Sequence, residues 1–368
     1  MGVVNVMHHP HVTIDMRMLG VSGVGTYVEE LVPRVISRWD SASFTLLGDA
    51  GAIARVVPAS ERVAVRDLDV PIYSIREQVL MALAIPRRTT LFWSPHYNIP
   101  VLFTGRIAAT VHDVFHLADA PSSLAKKLYA RAMFSAVVAR ARVVLCDSAF
   151  TASELRRLAG EPRTLAVVPL GVGEPWFQVS TAAPPIAEPY LLALGNVKPH
   201  KNLKRLVAAF ASIADRIPHR LAIVGRREGL RTLDTEVEGM AASLGDRVLF
   251  TGQVGRQELE RWVANCAALV QPSLYEGFGL PPLEAMACGR RVAVARTSSL
   301  PEVCGAEATY FDPLDTESIA RALEIVAWDS ADEAADSQRR RSWARRFDWD
   351  LCAEATLQQL THAADGDA

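Results

Sequence analysis

The feature that most constrains this chain is an alternation of short strand-like runs with helical segments, which occurs twice. Runs such as HVTIDMRML (11–19) and RIAATVHDV (106–114) are rich in β-branched residues, and segments with helical spacing lie between them. Consecutive β-α-β units favour parallel sheets with helices on both faces. The first series ends at TLAVVPLGV (164–172), and the second begins with YLLALGNV (190–197). Two such series predict two doubly wound α/β domains.

The segment between the two series, residues 173–189, contains four prolines and no clear periodicity. We interpret it as an interdomain linker. We expect an N-terminal Rossmann-like domain over residues 1–178 and a C-terminal Rossmann-like domain over residues 179–345. Residues 346–368 are charged and helical, and we expect them to cross back to the first domain. Ligands of such sheets bind at the C-terminal ends of the strands, so a cleft between the domains is the expected site.

Composition and spacing exclude several classes of protein. The formal net charge of -2 argues against bulk binding to nucleic acid. There is no signal-peptide pattern and no run of about 18 apolar residues, so no membrane span is predicted. The five cysteines are widely spaced without a C-x-x-C, which indicates a cytoplasmic protein rather than a zinc or disulfide framework. DLD (67–69) matches a D-x-D metal-binding pattern, but it lies in an alternating strand without other ligands nearby, so no metal is predicted.

One short segment, SLYEGFGLPPLEAMACG (273–289), combines two glutamates with glycines and a Pro-Pro pair. It follows a strand and predicts a glycine loop and then a helix N-terminus, because proline suits the first helical turn. Free N–H groups at a helix N-terminus favour a phosphate, and glycine lets the backbone approach a ligand closely. Glu284 could accept hydrogen bonds from a ribose diol and Glu276 from another polyol, which together fit a nucleotide diphospho-sugar. The alternative interpretation is that both glutamates only favour the helix dipole.

The same segment resembles the donor-binding motif of the family 4 retaining glycosyltransferases, which have the GT-B fold. LALGNVKPHKNLKRLVAAF resembles the family's diphosphate-binding segment, and VLFTGQVGRQEL its base-contacting segment. GVSGVGTYVEEL resembles the N-terminal glycine loop, and ATVHDV the His-Asp end of a strand. LFWSPHYNIP is similar to a branch rich in bacterial mannosyl- and rhamnosyltransferases of surface-polysaccharide assembly. The resemblance implies two Rossmann-like domains that face each other across a cleft, with residues 1–178 on the acceptor side and residues 179–345 on the nucleotide-sugar donor side.

The resemblance also implies a set of site residues. Catalytic roles fall to Glu276, which would bind the transferred sugar, to Lys201, which would pair with the diphosphate, and to His112, which would contact the sugar from the first domain. Glu284 would bind the ribose hydroxyls, and Val254 would present backbone atoms to the base. The other implied contacts are Gly277, Phe278, Gly279, Leu280, Asn196 and Arg226 for the donor, and Gly23, Gly25 and Asp113 for the diphosphate and acceptor loop.

Two positions depart from the family pattern, since Asn196 and His200 stand where many relatives have arginine. A second cation on the leaving phosphate then depends on Arg226 or Arg227. The acceptor side is less defined, and His96, Tyr97 and His116 are weaker candidates for shaping it.

We therefore expect a metal-independent enzyme that moves a hexosyl unit from a nucleotide diphospho-sugar to a glycan or lipid-linked acceptor. Mannose from GDP-mannose is the first expectation and rhamnose from dTDP-rhamnose the second; no cofactor is expected beside this co-substrate. The alternatives are a nucleotide-sugar epimerase, a phosphorylase on the same scaffold, and a non-catalytic nucleotide-sugar sensor. The helix near 123–141 carries Lys126, Lys127 and Arg131, which we interpret as a solvated basic edge. Peripheral contact with anionic lipid at the inner face of the membrane is the alternative.

Overall fold

A computed structural model of the chain describes residues 9–118, 124–181, 183–195, 198–225 and 231–365. The chain divides into two compact units, with boundaries between Gly171 and Val172 and again between Asp348 and Trp349. The first unit therefore combines the N-terminal series with the last helix, and the second contains residues 172–348.

The first unit is built on a seven-stranded parallel sheet in the order β3-β2-β1-β4-β5-β6-β7. The strands are β1 (His11–Asp15), β2 (Ser43–Gly48), β3 (Val63–Asp67), β4 (Leu91–Ser94), β5 (Arg106–Val111), β6 (Ala141–Cys146) and β7 (Leu165–Val167). The central strands β1 and β4 are buried along their whole length, as expected for strands covered on both faces. The strand order reverses between β1 and β4. This topological switch point is where doubly wound sheets bind ligands.

Seven helices, numbered along the whole chain, cover the sheet of the first unit in the part of the chain that the structure describes. They are α1 (Ser22–Arg38), α2 (Ala50–Val56), α3 (Ile75–Ala84), α4 (Phe115–Ala118), α5 (Leu124–Arg140), α6 (Ala149–Ala159) and α15 (Trp349–Asp365). Helix α15 packs against α1, where Asp350 accepts hydrogen bonds from Arg34 and Arg38 at 3.1 and 2.7 Å. The last helix is thus part of the core of the first unit.

The second unit is built on a six-stranded parallel sheet in the order β10-β9-β8-β11-β12-β13. The strands are β8 (Tyr190–Leu194), β9 (Arg220–Val224), β10 (Val248–Gly252), β11 (Ala268–Gln271), β12 (Arg291–Ala295) and β13 (Thr309–Phe311). The helices are α7 (Glu174–Gln178), α8 (Leu203–Ala211), α9 (Arg231–Ala242), α10 (Arg256–Asn265), α11 (Leu280–Ala287), α12 (Leu300–Cys304), α13 (Thr316–Ala327) and α14 (Glu333–Ala344). The switch point of this sheet lies between β8 and β11.

The prediction of two doubly wound α/β units is confirmed, although the structure differs from the sequence-based expectation in local detail. The first residues of the segment interpreted as a linker form α7, because Trp176 and Phe177 are buried and Pro175 suits a helix start. Helix α1 begins three residues before Gly25, where the sequence pattern predicted its start. No helix among the described residues is long and apolar enough to cross a membrane.

Candidate active site

Lys201 and Glu276 meet at the switch point of the second unit. Lys201 ends a 3-10 turn after β8, and Glu276 lies in the loop between β11 and α11. Lys201 Nζ donates a hydrogen bond to Glu276 Oε1 at 2.7 Å, and the two side chains are 22 % and 15 % exposed. The residues are 75 positions apart in sequence, and they meet because β8 and β11 are neighbours in the sheet. The pair is open enough to reach a ligand.

The backbone around Lys201 fixes its direction. Gly195 has φ +126°, and a Cβ at this position would lie 3.4 Å from Lys201 Cε, so the lysine side chain runs over a glycine. Asn202 is left-handed with φ +57°, and its Nδ2 lies 3.1 and 2.7 Å from the carbonyl oxygens of Pro272 and Pro313. A non-glycine residue in this conformation is strained, and these two contacts hold it in place.

Glu276 is held by residues that the sequence patterns did not reveal. Gln271, the last residue of β11, donates from Nε2 to Glu276 Oε1 at 2.5 Å. The buried Ser299 hydroxyl lies 2.9 and 2.6 Å from the carbonyl oxygens of Glu276 and Phe278, which pins the loop. Burial disfavours the carboxylate, but Lys201 and hydrogen bonds from Ser273 and Gln271 outweigh it and lower the pKa of Glu276. Glu276 is therefore an oriented, ionised acceptor.

The loop before α11 presents backbone rather than side chains. Phe278 is buried and packs edge-on against Phe347, with ring centroids 5.9 Å apart. Gly279 has φ +119°, and a Cβ there would lie 2.9 Å from Leu300 Cδ2, so only glycine fits. Leu280 begins α11 with prolines in its first turn, as the sequence predicted. The half-buried Glu284 lies in the second turn of that helix. Gly277 is also half-buried and completes the loop.

Three other implied donor contacts are less informative. Val254 lies in the loop that joins β10 to α10, half-buried, at the same sheet edge as Lys201 and Glu276. Asn196 and Arg226, together with Arg227, lie outside the described residues.

His112 is placed in the first unit, directly after β5. Its Nδ1 lies 2.6 Å from Asp147 Oδ2, and its Nε2 lies 2.9 Å from the carbonyl oxygen of Pro95. The side chain of His112 is 16 % exposed, while Asp147 is buried. The pair arises because β5 and β6 are adjacent and each is followed by one of the two residues. Asp147 was not predicted, although an acidic residue at the end of a strand beside that of His112 was the available signal.

The partners of His112 favour its charged form. A carbonyl oxygen can only accept a hydrogen bond, so Nε2 carries a proton. The proton between Nδ1 and the carboxylate of Asp147 is shared by a coupled pair, because burial also raises the pKa of Asp147. Burial alone would lower the pKa of His112, but Asp147 and the Pro95 carbonyl outweigh burial and raise it. Asp147 and the Pro95 carbonyl thus favour the charged form of His112, whose ring packs edge-on against that of Tyr27 with centroids 4.7 Å apart.

The remaining residues implied in the first unit lie near helix starts. Gly23 and Gly25 belong to the first turn of α1 rather than to a loop before it. A Cβ at Gly25 would lie 2.9 Å from Gly20 N and Met18 O, whereas Gly23 is exposed with open space around its Cα. Asp113 Oδ1 accepts the N–H of Phe115 at 2.9 Å at the start of α4.

A buried ionic network fills the switch point of the first unit. Arg17 donates to Asp15 from Nε and Nη2 at 2.9 and 2.7 Å, and to Glu77 Oε1 at 2.5 Å. His96 Nε2 lies 3.0 Å from Asp15 Oδ2. All four side chains are at most 4 % exposed. Burial opposes ionisation of Asp15, but hydrogen bonds from His96 and Arg17 hold its pKa well below the usual range. Of these four residues, only His96 was a candidate from the sequence.

Metal ligation has no support in the described ranges, since no group of three or more His, Cys, Asp or Glu side chains there could hold a metal ion. Asp67 of DLD ends the edge strand β3, and its Oδ1 lies 3.4 Å from the N–H of Ala50.

The chain is similar to several known proteins. Residues 188–329 match the family described as glycosyl transferases group 1. The chain is 27 % identical over 372 residues to the O-antigen chain mannosyltransferase B of Escherichia coli, covering 92 % of this chain and 95 % of that protein. It is 29 % identical to the O-antigen chain mannosyltransferase RfbU of Salmonella typhimurium, over 71 % of this chain and 70 % of that protein. The solved sucrose-phosphate synthase of Thermosynechococcus elongatus superposes with a TM-score of 0.74 at 20 % identity, covering 96 % and 98 %.

The fold and these matches define a glycosyltransferase of the GT-B type. The chain is similar to the family 4 glycosyltransferases. It transfers a hexosyl unit from a nucleotide sugar to a glycan acceptor. The matches support neither an epimerase, nor a phosphorylase, nor a non-catalytic sensor.

Proposed function

We propose that the chain is a retaining mannosyltransferase that takes mannose from GDP-mannose and extends a bacterial surface polysaccharide such as the glycan of lipopolysaccharide. The observation that carries the proposal is the Lys201–Glu276 pair ahead of the α11 N-terminus. The similarity to two O-antigen mannosyltransferases supports mannose as the sugar. Transfer of rhamnose from dTDP-rhamnose is the second candidate.

In this proposal the pair separates when the donor binds. The diphosphate draws Lys201 away from Glu276, since a doubly charged anion attracts the ammonium more strongly than one carboxylate. Glu276 is then free to accept hydrogen bonds from the hydroxyls of the transferred sugar. The N–H groups of the first turn of α11 add to the positive field at the diphosphate. Glu284 binds the ribose, and Val254 contacts the base.

Catalysis follows from stabilising the departing diphosphate. Lys201 and the helix N-terminus meet negative charge that grows as the glycosidic bond to the nucleotide breaks, and preorganised charge of this kind accounts for much of the rate enhancement of many enzymes. In the first unit we propose that the His112 imidazolium contacts the transferred sugar. We assign Gly23, Gly25 and Asp113 to the loop for the diphosphate and acceptor. Asn196 and Arg226 remain proposed donor contacts from the resemblance.

We propose in addition that the acceptor is lipid-linked and that α5 contacts the membrane surface from the cytoplasmic side. Leu124 and Leu128, one helical turn apart, are 73 % and 59 % exposed, and Lys126 and Lys127 are exposed between them. An apolar and cationic face of this kind favours anionic lipid. Co-sedimentation should increase with phosphatidylglycerol vesicles relative to phosphatidylcholine vesicles. It should fall for a Lys126→Glu, Lys127→Glu variant, and equal binding to both vesicles would contradict the contact.

A panel of nucleoside diphosphates tests the main proposal. A ligand that binds only the folded state raises the free energy of unfolding by about 2.7 kcal/mol at a hundredfold excess over its Kd. We expect GDP to raise the melting temperature more than UDP, dTDP or ADP, and acceptor-dependent release of GDP from GDP-mannose. A selective effect of dTDP would favour rhamnose instead. No effect of any nucleotide would contradict donor binding.

Activity should survive excess EDTA. The proposed site balances the charge of the diphosphate with Lys201 and a helix N-terminus, so no divalent cation is required. GDP release is measured with EDTA and after adding back magnesium or manganese. Loss of activity that either metal restores would overturn metal independence and return DLD to consideration.

A further inference from the structure

Three tyrosines form an aromatic surface at the sheet edge of the first unit that carries His112. Tyr73 lies before α3, Tyr97 in the loop after β4 and Tyr129 on α5. Tyr73 stacks on Tyr97, with ring centroids 5.6 Å apart and planes at 23°, and Tyr129 meets Tyr73 edge-on at 6.3 Å. Tyr97 stacks in turn on the buried Phe134 at 4.4 Å. The three tyrosines are called the aromatic ledge below.

The outermost ring of the ledge is unusually exposed for its size. Tyr73 is 46 % exposed, although the ring beneath it is half-buried and Phe134 is fully buried. Tyr97 covers one face of the Tyr73 ring and Tyr129 approaches its edge, so the stack continues outward from the core and ends in a ring open to a ligand. An exposed aromatic on a supported stack is a surface suited to another flat, partly apolar ring.

The backbone of Tyr73 is strained, and the buried network maintains the strain. Its φ of +67° is uncommon for any residue other than glycine and costly for a bulky one. Glu77 Oε2 accepts the N–H of Tyr73 at 2.7 Å, while Glu77 Oε1 is held by Arg17. Backbone strain of this kind persists where the surrounding structure enforces it, and strained residues are concentrated at ligand-binding sites. The Asp15–Arg17–Glu77 network therefore positions the ring.

The ledge is joined to His112 through three consecutive residues. The Pro95 carbonyl oxygen accepts a hydrogen bond from His112 Nε2, His96 binds Asp15, and Tyr97 is the middle ring of the stack. The buried Ser94 Oγ lies 2.8 Å from the carbonyl oxygen of His96, which holds the loop in place. A ligand on the ledge would thus lie near a residue proposed to contact the transferred sugar.

We infer that the aromatic ledge binds an uncharged pyranose of the acceptor saccharide, stacked on Tyr73. One face of a pyranose presents C–H groups that pack on an aromatic ring. The three tyrosines carry no charge, and Arg17 and Glu77 beneath them pair with each other. Asp113 is a charged group that acts on Tyr73 and Tyr97. The inference rests on the proposed function only in taking the acceptor to be a saccharide.

The pair Tyr73→Phe and Tyr73→Gly separates a binding role from a structural one. Phenylalanine keeps the ring, whereas glycine removes it and relieves the positive φ, and the melting temperature of each variant shows that it is folded. Val79→Ala, at an exposed position on the neighbouring α3, is the matched control. Saturation-transfer NMR with methyl α-mannopyranoside and an α-linked mannobiose reports contact with the ring directly.

Saturation transfer to the sugar C–H protons is expected in the wild type, in Tyr73→Phe and in Val79→Ala. In Tyr73→Gly the affinity for the sugar should fall by about 3- to 10-fold. In turnover, Tyr73→Gly should raise KM for the acceptor by the same factor and leave KM for the donor unchanged. No saturation in the wild type would overturn the inference, as would equal saturation in Tyr73→Gly. The GDP thermal shift tests the proposed function separately. If GDP does not bind but the saccharide signal still depends on Tyr73, the proposed function is refuted and the inference about the aromatic ledge is retained.

Discussion

The two switch points of this molecule are built alike and used differently. Each lies between two central parallel strands, and each brings a cation and a carboxylate together from distant parts of the chain. In the first unit, Arg17 is shared between Asp15 and Glu77, and the side chains are at most 4 % exposed. In the second unit, Lys201 and Glu276 are 22 % and 15 % exposed.

The two switch points differ in whether their cation is available to a ligand. The guanidinium of Arg17 is occupied on both sides by buried carboxylates, so the first switch point is closed by its own charges. Lys201 has a flexible stem and a point charge, which can exchange one partner for another more easily than a bidentate arginine can. A switch point in a doubly wound sheet therefore marks where ligands can bind, while its ion pair decides whether one does.

The largest expected effect is on stability in the first unit. Arg17→Met would remove the cation that Asp15 and Glu77 share and leave two buried carboxylates with hydrogen bonds but without that charge, at a cost of about 3–5 kcal/mol in the free energy of unfolding. Urea unfolding measures this loss. Arg38→Met is the matched control, because Arg38 is 35 % exposed and its pair with Asp350 should contribute less than about 1 kcal/mol. Equal losses of unfolding free energy in the two variants would show that the first switch point is not closed by a strongly stabilising buried ion pair.

The next effect is on turnover in the second unit. Glu276→Ala should lower kcat by about 10²- to 10³-fold, the scale for losing one oriented polar group at a reacting centre. Glu276→Gln tests whether charge or shape matters, and Glu236→Ala is the control, since Glu236 forms an exposed pair with Lys204 in the same unit. Near wild-type turnover of a folded Glu276→Ala enzyme would remove Glu276 from the site.

Lys201→Ala sharpens the contrast further, because it should affect binding and leave stability almost unchanged. We expect a loss of about 10- to 100-fold in affinity for GDP, the scale of a hydrogen bond to a charged group, and little change for guanosine. Isothermal calorimetry with both ligands measures the difference. Lys204→Ala is the control, and equal losses for GDP and guanosine would contradict a diphosphate contact.

The sequence was informative where the signal is local. The alternation of strands and helices predicted both sheets, and the segment 273–289 folds as predicted because its glycines and prolines act on their own turn. Helix α2 was missed, since seven residues with only Ile53 buried show no periodicity. Gly25 suggested a loop, yet it lies inside α1, where the backbone of Met18 and Gly20 leaves no room for a Cβ.

The contacts that complete the site are not local and could not be read from spacing. Lys201 reaches Glu276 across 75 residues, and His112 reaches Asp147 across 35. Both contacts depend on which strands become neighbours, which the sequence pattern leaves open. Ser299 was missed for the same reason, because it holds the loop from 23 residues beyond Glu276.

The smallest expected effect is a pH dependence of stability in the first unit. The pKa of His112 is raised in the folded state, so its pairing with Asp147 adds stability below the unfolded pKa of about 6.5 and loses it as the pH rises through the folded pKa. Asp147→Asn removes the carboxylate but keeps the size of the side chain. The free energy of unfolding of the wild type should therefore exceed that of this variant by the largest amount near pH 6. The difference should shrink at alkaline pH by about 1.4 kcal/mol for each unit by which the two folded pKa values differ.

The same variant decides whether the charge of His112 is as its contacts indicate. The groups that face the ring are Asp147, Asp113, the Pro95 carbonyl and Tyr27, and only the first is changed. Histidine-selective ¹⁵N NMR gives the protonation state of both ring nitrogens directly. Two protonated nitrogens at pH 7 in the wild type and one in Asp147→Asn would support the imidazolium, because the carboxylate is then what holds the second proton on the ring. A neutral ring in the wild type would show that Asp147 only orients it.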